Sequence, residues 1–339
     1  MRVTLIHNPA AGEGSTSADE LMEWLEDAGF DPRYQSSRES GWRTALKKPA
    51  ELFIAAGGDG TVTKVASSLP ADAVLAIVPL GTANNLATAF GIHGAPQRVI
   101  AKLAKFKPQR FDLWRAVGPW GQETVVEGCG IGAITETANA LHFADNMPID
   151  PLDKLALARM VMKNLVARLR PFELRAECDG KVIEGSFLAF EAMNIGLAGP
   201  QLSLCGKARS DDERLDIAVV RTEERDEFVK WLAGSTLKSW RKRPLHRCRT
   251  LKLTWHGERL RLTDGIMWPA EGEKIVREKS QAFEEKSGKK EKKKASGKAP
   301  DEKNVKSGKK ENPGKEKSGR TYEARLSPAK YAIKVLVPK

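Results

Sequence analysis

Short apolar segments alternate with amphipathic segments over the first third of the chain. The apolar segments predict strands at residues 3–7, 32–36, 51–55 and 74–78. Segments with a helical apolar period predict helices at 17–28, 41–47, 61–68, 84–90 and 96–105. Alternation of this kind is typical of an open α/β sheet with parallel strands. We therefore expect residues 1–112 to form an open α/β domain.

The pattern changes after residue 112, where short strands separated by turns become frequent. The predicted strands are 111–117, 123–130, 172–178, 181–195, 215–221, 250–255 and 259–263. This pattern predicts a second, β-rich domain of sandwich type, formed by residues 113–278 and 321–339. One long helix is predicted within it, at 152–169. Its apolar face is expected to pack in the core or to line a pocket.

A lysine-rich segment interrupts the second domain at residues 279–320. Between 286 and 320 the chain has 13 Lys and one Arg against five acidic residues, a net charge of +9 out of the total of +12. The stretch at 286–320 lacks aromatic residues and is too polar to bury a core, so we expect the insert to be disordered. A polybasic tract is attracted to anionic lipid headgroups, whereas a solvated surface insertion is the equal alternative. Nucleic-acid binding is the less expected use.

Apolar run length and cysteine spacing narrow the class of protein. No apolar run approaches the roughly 20 residues that span a bilayer. The four cysteines are widely separated and lack metal-ligand spacing, so we expect reduced thiols and no zinc site. The sequence predicts a soluble, cytoplasmic protein.

A stripe of apolar residues with helical spacing follows residue 225. It consists of Phe228, Trp231, Leu232, Leu237 and Trp240, and a cluster of arginines and lysines comes after it. Tryptophan beside cations suits a helix that lies on a membrane surface. Packing of the helix against its own sheet is the favoured alternative.

Three predicted strands, the first, third and fourth along the chain, end in loops that share one design. These loops are Asn8–Ser15, Gly57–Thr61 and Pro79–Asn85. Free N–H groups in a glycine-rich loop at a helix N-terminus bind phosphate. Loops that follow neighbouring parallel strands emerge at one edge of the sheet and can converge on one site. The pattern therefore predicts a phosphorylated ligand, although a tight turn is the alternative for any single loop.

Several motifs occur in a fixed order along the chain. They are Asn8-Pro9-x-x-Gly12, Gly57-Gly58-Asp59-Gly60-Thr61, Pro79-Leu80-Gly81-Thr82-x-Asn84, Glu127-Gly128-Cys129-Gly130-Ile131-Gly132, Asn194-Ile195-Gly196, Asp211-Asp212-Glu213-Arg214-Leu215-Asp216 and a final strand, Ala332–Pro338. Together they resemble the motifs of the diacylglycerol kinase and sphingosine kinase superfamily, including its bacterial soluble lipid kinases. The resemblance covers nearly the whole chain except the lysine-rich insert. It implies a lipid kinase that uses ATP and Mg²⁺, with residues 1–112 as the nucleotide-binding domain and the β-rich domain as the lipid-substrate domain. It also implies peripheral contact with an anionic membrane surface, at the inner face of the membrane.

The expected nucleotide site follows from the needs of phosphoryl transfer, which are a phosphate cradle, a divalent cation and a proton acceptor. The residues expected to bind the nucleotide are Asn8, Ser36, Gly57, Gly58, Asp59, Gly60, Thr61, Thr82 and Asn84. Ser36 is included by resemblance alone. Asp59 is expected to organise Mg²⁺ through water, and the alternative is that it caps the helix that follows it.

The catalytic base is expected in the second domain. The resemblance implies an Asp-Gly-Glu triplet, and Asp264-Gly265-Ile266 is the preferred match because it follows a predicted strand. Ile266 stands where the family has glutamate. Glu271-Gly272-Glu273 is the rival match, which would make Glu271 the base.

Mg²⁺ is also expected at a second, structural position. By resemblance, the ligands are the side chain of Asp212 and the carbonyl oxygens of Arg209 and Arg214, and oxygen ligands suit this hard cation. A helix cap or a surface turn would explain the acidic cluster equally well. In the phosphate site, Asn85 stands where many relatives have aspartate, so Asp112 is expected to contribute to Mg²⁺ binding.

Two alternatives to a lipid kinase remain open at this point. One is an NAD kinase-like enzyme, which also uses a Gly-Gly-Asp-Gly-Thr loop. The other is a relative that binds nucleotide or lipid without turnover. The acceptor is expected to be a diacylglycerol-like lipid or a long-chain base, and exposed edge strands leave a homodimer open.

Overall fold

A computed structural model describes residues 1–142, 144, 147–234, 238–256, 260–263, 266–268 and 321–339. The lysine-rich insert and both candidate bases, Asp264 and Glu271, lie outside the described residues. The strands of the first third are β1 (Arg2–His7), β2 (Asp31–Ser36), β3 (Leu52–Gly57) and β4 (Val74–Pro79). The helices there are α1 (Ala18–Asp27), α2 (Asp59–Ala66), α3 (Asn85–Ala89) and α4 (Pro96–Ile100).

Seventeen strands and seven α-helices are assigned in the described residues. The remaining strands are β5 (Lys107–Gly118), β6 (Gly121–Val125), β7 (Gly128–Gly132), β8 (Phe172–Cys178), β9 (Lys181–Met193), β10 (Leu197–Ala198), β11 (Leu202–Ser203), β12 (Leu215–Arg221), β13 (His246–Cys248), β14 (Leu251–His256), β15 (Leu260–Thr263), β16 (Ile266–Trp268) and β17 (Thr321–Val337). The remaining helices are α5 (Ala133–His142), α6 (Pro151–Val166) and α7 (Arg225–Ala233).

The first domain is a parallel α/β sheet in the strand order β2-β1-β3-β4, as the alternating pattern predicts. Every residue of β3 is buried, which is typical of a strand covered on both faces. Ser17 and Glu20 form a reciprocal capping box that fixes the start of α1. Two predicted helices are shorter than expected. Residues 42–47 form a 3₁₀ helix, and the segment predicted at 96–105 divides into α4 and a 3₁₀ turn.

A long antiparallel ribbon of β5 and β17 runs through both domains. The second half of β17, from Ala332, pairs with the first half of β5 and also runs parallel to β4. Its first half pairs with the end of β5 and with β14 of the second domain. The last strand begins at Thr321, earlier than the predicted start at 332, and contributes to the sheets of both domains. The proposed division at residue 112 stays a prediction.

The second domain is rich in antiparallel strands, as predicted, and its main path is β16-β15-β7-β9-β8-β14-β17. In β8, buried and exposed residues alternate strictly. Buried aromatic side chains, among them Trp114, Phe187, Phe190 and Trp255, fill its core. The sequence pattern missed α5 and the small hairpin of β10 and β11.

The apolar stripe after residue 225 is not one continuous helix, so that part of the prediction is wrong. Helix α7 ends at Ala233, and Trp240 lies beyond it, edge-on to Phe228 at 4.9 Å between ring centroids. Phe228 is fully buried, and the Trp240 indole N–H donates to the carbonyl oxygen of Val219 at 3.3 Å. The helix therefore packs on its own sheet. No helix in the described part of the chain is long and apolar enough to cross a bilayer.

The side chain of Asn194 joins three segments in the interior. Its amide N–H₂ donates to the carbonyl oxygens of Asp112 at 2.8 Å and Val126 at 2.7 Å, and its oxygen accepts from the indole of Trp114 at 3.1 Å. Asn194 is 1% exposed. Removal of this side chain would leave three buried polar groups without their partner, and each such group costs about 1–3 kcal/mol.

We therefore expect Asn194→Ala to lower the free energy of unfolding by about 3 kcal/mol or more, because the three groups lose their hydrogen bonds together. Urea denaturation followed by circular dichroism measures this change. Asn164→Ala, at an exposed position on α6, is the control and should stay within about 0.5 kcal/mol of wild type. Equal stability of the two variants would contradict the structural role of Asn194.

Candidate active site

The three glycine-rich loops touch one another at the carboxyl ends of β1, β3 and β4. A Cβ atom added at Gly81 would overlap the Cα of Gly58, so the second and third loops meet backbone to backbone. A Cβ atom at Gly12 would lie 2.8 Å from the carbonyl oxygen of Leu80, and Gly12 has a φ of +60°. Glycine is therefore required at these positions by close approach. The geometry agrees with the predicted convergence of the loops.

Asp59 links two of these loops. Its buried carboxylate accepts the backbone N–H groups of Asn85 and Leu86, each at 2.9 Å. These are the first N–H groups of α3, where a carboxylate is favoured by the helix dipole. Asp59 therefore caps α3. The alternative to its Mg²⁺ role was a cap on α2, the helix that follows Asp59 in sequence, and the N-cap residue of α2 is Gly58.

The predicted nucleotide residues occupy several kinds of position. Gly58, Asp59, Gly60 and Thr82 line a cleft of about 380 Å³. Thr61 is 6% exposed and packs against Gly57. The role of all of these residues in nucleotide binding stays a prediction.

Three further predicted residues shape the loops. The amide of Asn84 donates to the carbonyl of Gly81 at 2.6 Å and accepts its N–H at 3.0 Å, which closes the third loop on itself. The side-chain oxygen of Asn8 accepts the N–H of Ala10 at 3.3 Å. Ser36 ends β2 level with the last residue of β1, so it lies at the same sheet edge. Their contact with nucleotide also stays a prediction.

The second domain supplies the opposite wall of the cleft. This wall is mostly apolar and comes from α5, α6 and the segments beside them; its residues include Ile134, Ala138, Leu141, Met147, Leu155 and Ala158. The apolar face of α6 therefore has two parts. Leu155 and Ala158 line the cleft, while Met162 and Val166 are core residues. One cavity therefore has a polar wall of backbone amides and an apolar wall of side chains.

Hydrogen bonds hold the two walls together. The Asn85 amide donates to the carbonyl of Gly199 at 2.9 Å, and the Gln201 amide donates to the carbonyl of Ala83 at 2.6 Å. Lys154 on α6 forms an ion pair with Glu13 of the first loop. The two hydrogen bonds fix the third loop against the β10–β11 region, and the ion pair joins the first loop to α6.

Asn85 carries an acceptor atom that the protein leaves unsatisfied. Its Oδ1 is buried without a hydrogen-bond partner in the described part of the chain, while its Nδ2 is committed to Gly199. Asn85 and Asp59 both line the cleft. The Asp59 carboxylate lies beside Asn85, because one of its oxygens accepts the Asn85 N–H at 2.9 Å. An amide oxygen and a carboxylate are suitable partners for a hydrated Mg²⁺, so the residues present fit this ion.

Asp112 lies beside the acidic loop at 209–216. Its carboxylate accepts the N–H of Glu213 at 2.6 Å and pairs with Arg110 at 2.7 Å, and it is 3% exposed. The contacts of this carboxylate therefore order the acidic loop. The expected contribution of Asp112 to Mg²⁺ in the phosphate site stays a prediction.

A guanidinium group contacts the carboxylates of the acidic loop, where the structural Mg²⁺ is predicted. Arg247 on β13 pairs with Asp216 at 2.9 Å and also with Asp212. Asp212 further accepts the N–H of Arg214 at 3.2 Å, and Asp216 accepts the N–H of Arg209 at 3.3 Å. In this arrangement the donor set does not fit Mg²⁺, because Arg247 already supplies the positive charge. Among the described residues no group of three or more His, Cys, Asp or Glu is placed to hold a metal.

Several residues of the cleft were not predicted from the sequence. Lys154, Gly199 and Gln201 reach it through contacts between residues more than 100 positions apart. For α5 a signal was present, because Ile134, Ala138 and Leu141 are spaced by four and three residues. No spacing pattern in the sequence indicates that Lys154, Gly199 and Gln201 lie close to the loops.

The fold and the cleft define a class of protein, an α/β domain with glycine-rich loops that is joined to a β-rich domain covering those loops. Residues 2–116 match the family model described as the diacylglycerol kinase catalytic domain. The protein named Probable lipid kinase YegS-like from Stenotrophomonas maltophilia is 31% identical over 223 residues, which cover 62% of this chain and 69% of that protein. The chain belongs to the diacylglycerol kinase family.

Two further matches agree with this assignment. The diacylglycerol kinase of Bacillus subtilis is 27% identical over 239 residues, which cover 68% of this chain and 77% of that protein. The crystal structure of a diacylglycerol kinase from Bacillus anthracis matches with a TM-score of 0.58 at 20% identity, covering 77% of this chain and 88% of that one. At this identity the structural match shows the fold.

Asp216 should make stability depend on pH. Burial raises the pKa of its carboxyl group from 3.8 to about 6, although the Arg247 guanidinium opposes the shift. The folded protein then holds this proton more tightly than the unfolded chain does. The contribution of Asp216 to the free energy of unfolding is therefore greatest below pH 3.8 and is lost as the pH rises through about 6.

We expect the stability of wild type relative to Asp216→Asn to fall by about 1–3 kcal/mol between about pH 4 and pH 6 and then to level off. Chemical denaturation of both proteins across this range measures the difference. Subtracting the free energy of unfolding of Asp216→Asn from that of wild type at each pH removes the contribution of the other titrating groups. A difference that is constant with pH would show that the carboxyl group titrates at its ordinary pKa.

Proposed function

We propose that this protein is an ATP-dependent lipid kinase that transfers the γ-phosphate to a hydroxyl group of a diacylglycerol-like lipid or a long-chain base. One observation carries the proposal: a single cleft has residues of the glycine-rich loops on one wall and apolar side chains on the other. Such a cleft suits a reaction between a polyphosphate and an amphiphile. The chain is also similar to proteins named lipid kinase and diacylglycerol kinase.

The first domain would hold the phosphate donor. Backbone N–H groups of Gly58, Gly60 and Thr82 would cradle phosphate oxygens, because these cleft residues follow parallel strands in loops that lead into helices. Asp59 and Asn85 would hold a hydrated Mg²⁺, which supplies positive charge against the phosphates. Asp59 would act at the same time as the connection between the second and third loops.

The second domain would hold the acceptor. An acyl or alkyl chain against Ile134, Leu141 and Leu155 would leave the water, and each buried methylene would contribute about 0.8 kcal/mol. Beside the cleft, Leu152 at the start of α6 is 74% exposed and Ile149 just before it is 78% exposed. Exposed apolar residues at this position would provide the peripheral contact with a membrane surface that a lipid substrate requires.

We propose Asp264 as the base that accepts the proton of the lipid hydroxyl, with Glu271 as the rival. Loss of a general base lowers turnover by about 10²–10⁴-fold. We therefore expect Asp264→Asn to lower kcat within this range without weakening ATP binding, and Glu271→Gln to leave kcat near wild type. Isothermal titration with a non-hydrolysable ATP analogue checks that the site remains intact. The reverse result would make Glu271 the base.

The decisive experiment offers γ-labelled ATP and Mg²⁺ together with diacylglycerol, sphingosine and NAD in separate reactions. Label in a lipid product supports the proposal and identifies the acceptor class. Label in NAD alone would establish the NAD kinase-like alternative. Nucleotide binding without any labelled product, in wild type and Asp264→Asn alike, would indicate a binding protein that has lost turnover.

Gly81→Ala tests the contact between the phosphate loops. The added methyl group must displace the backbone of Gly58, so we expect ATP affinity to fall by about tenfold or more. Gly91→Ala is the control, since its Cβ would enter open space at a φ of +69° and would cost stability without touching the loops. Titration calorimetry with the ATP analogue compares the two, and equal affinities would contradict the role of the loop contact.

Ala138→Phe tests the apolar wall. The larger side chain on α5 would occupy the space assigned to the lipid chain, so we expect KM for the lipid to rise by about tenfold while ATP affinity is unchanged. Ala140→Phe, at an exposed position on the same helix, is the matched control. An unchanged lipid KM in Ala138→Phe would place the acceptor elsewhere.

A further inference from the structure

A second, larger cavity lies in the β-rich domain and is lined by cationic side chains. It has a volume of about 930 Å³ and lies between the β8–β9 turn, the loop at 207–214 and the segment at 243–247. Its charged and titratable residues are Lys181, Lys207, Arg209, Arg214, Arg243, Arg247, His246, Cys178 and Asp179. Six permanent cations therefore face a space that is lined by one carboxylate.

Half of these cations are committed to carboxylates around the cavity. Arg209 pairs with Asp211 at 3.0 Å, and Arg247 pairs with Asp212 and Asp216. Arg214 is 4.0 Å from Asp179. These pairs build the wall of the cavity and fix the position of their guanidinium groups.

The lining carboxylate, Asp179, is engaged away from the other cations. Its oxygens accept the N–H of Arg249 at 3.0 Å and both the N–H and the hydroxyl of Thr250 at 2.8 Å. These hydrogen bonds lower the pKa of Asp179, although burial opposes them. Asp179 therefore closes a turn and does not neutralise the lysines.

Three cations remain uncompensated. Lys181, Lys207 and Arg243 are exposed at the cavity and form no ion pair with any carboxylate that the structure describes. Like charges that share a concave surface raise the local potential and attract anions. Guanidinium and ammonium groups are the usual partners of phosphate oxygens.

This cavity is separate from the cleft of the proposed kinase reaction. The two share no lining residue, and they differ in charge, because the cleft is lined by one cation, Lys154, and the cavity by six. The cavity is thus an additional site, and its test does not depend on turnover.

We propose that this cavity binds a phosphate-bearing anion, either a soluble polyphosphate compound or the headgroup of an acidic phospholipid. Leu245, which is 44% exposed in the lining, lies next to the cations and would contact the apolar part of a lipid. The phosphate is the shared element, and the surplus charge of Lys181, Lys207 and Arg243 is the feature that recognises it.

The test uses the full chain, so that the lysine-rich insert is present in every protein compared. The cavity variant is Lys181→Gln, Lys207→Gln and Arg243→Gln together, which leaves the paired arginines intact. The charge-matched control is Lys47→Gln, Lys102→Gln and Lys105→Gln, three exposed cations of the first domain. The probes are pyrophosphate, dihexanoyl phosphatidylglycerol and dihexanoyl phosphatidylcholine, with the lipids below their micelle-forming concentrations.

Titration calorimetry and thermal unfolding measure binding. We expect wild type and the control variant to bind pyrophosphate or the phosphatidylglycerol, with a rise in Tm of about 3 °C at ten times Kd. The cavity variant should bind at least about tenfold more weakly, and phosphatidylcholine should not bind. Binding of phosphatidylglycerol without binding of pyrophosphate identifies a site for a lipid headgroup. Binding of pyrophosphate identifies a site for a soluble phosphate compound.

Gly81→Ala separates this site from the phosphate loops, since binding at the cavity should persist in that variant. Equal affinity of wild type, cavity variant and control variant for every probe would overturn the proposal. So would a loss of binding in Gly81→Ala that equals the loss in the cavity variant, because the probe would then occupy the cleft.

Discussion

The arrangement of the two domains depends on a buried polar connection between Thr63, Glu127 and Asn194. Thr63 on α2 donates to the Glu127 carboxylate at 3.2 Å, and the Glu127 carbonyl accepts the N–H of Asn194 at 2.8 Å. All three residues are at most 5% exposed. Buried polar groups tolerate few alternative geometries, because an unpaired group is costly. The helix α2, which begins in the second glycine-rich loop, therefore has a fixed position relative to the β-rich domain.

The cleft follows from that constraint, since its two walls come from different parts of the chain. The loops alone would present backbone N–H groups to water, and α5 and α6 alone would present apolar side chains to water. The β5–β17 ribbon and the hairpin of β10 and β11 bring the walls together. Each wall limits the access of water to the other, which strengthens electrostatic interactions within the cleft.

The sequence predicted what is local and missed what depends on long-range contact. The loops and most strands carry their own signals, because glycine, apolar alternation and caps act over a few residues. The second half of β17 could also be predicted from its apolar pattern. The pairing of Arg247 with Asp212 spans 35 residues and depends on the placement of β13 beside β12. No spacing rule identifies that pair, so the sequence gives no reason to expect a guanidinium group at the acidic loop.

The pairing of Arg247 with the acidic loop also helps to explain why cations are concentrated in this part of the β-rich domain. Asp216 is fully buried, and an isolated buried carboxylate would be strongly destabilising, so the fold requires a positive partner there. A bound divalent ion could supply this positive charge without a further segment of the chain. Arg247 supplies it from β13, so the residues next to Arg247 also lie close to the acidic loop. The segment at 243–247 that carries Arg247 also brings Arg243 to the cavity. Part of the positive charge at the cavity, that of Arg243, therefore accompanies the segment that stabilises the loop, and Lys181 and Lys207 add to it from the β8–β9 turn and from the loop itself.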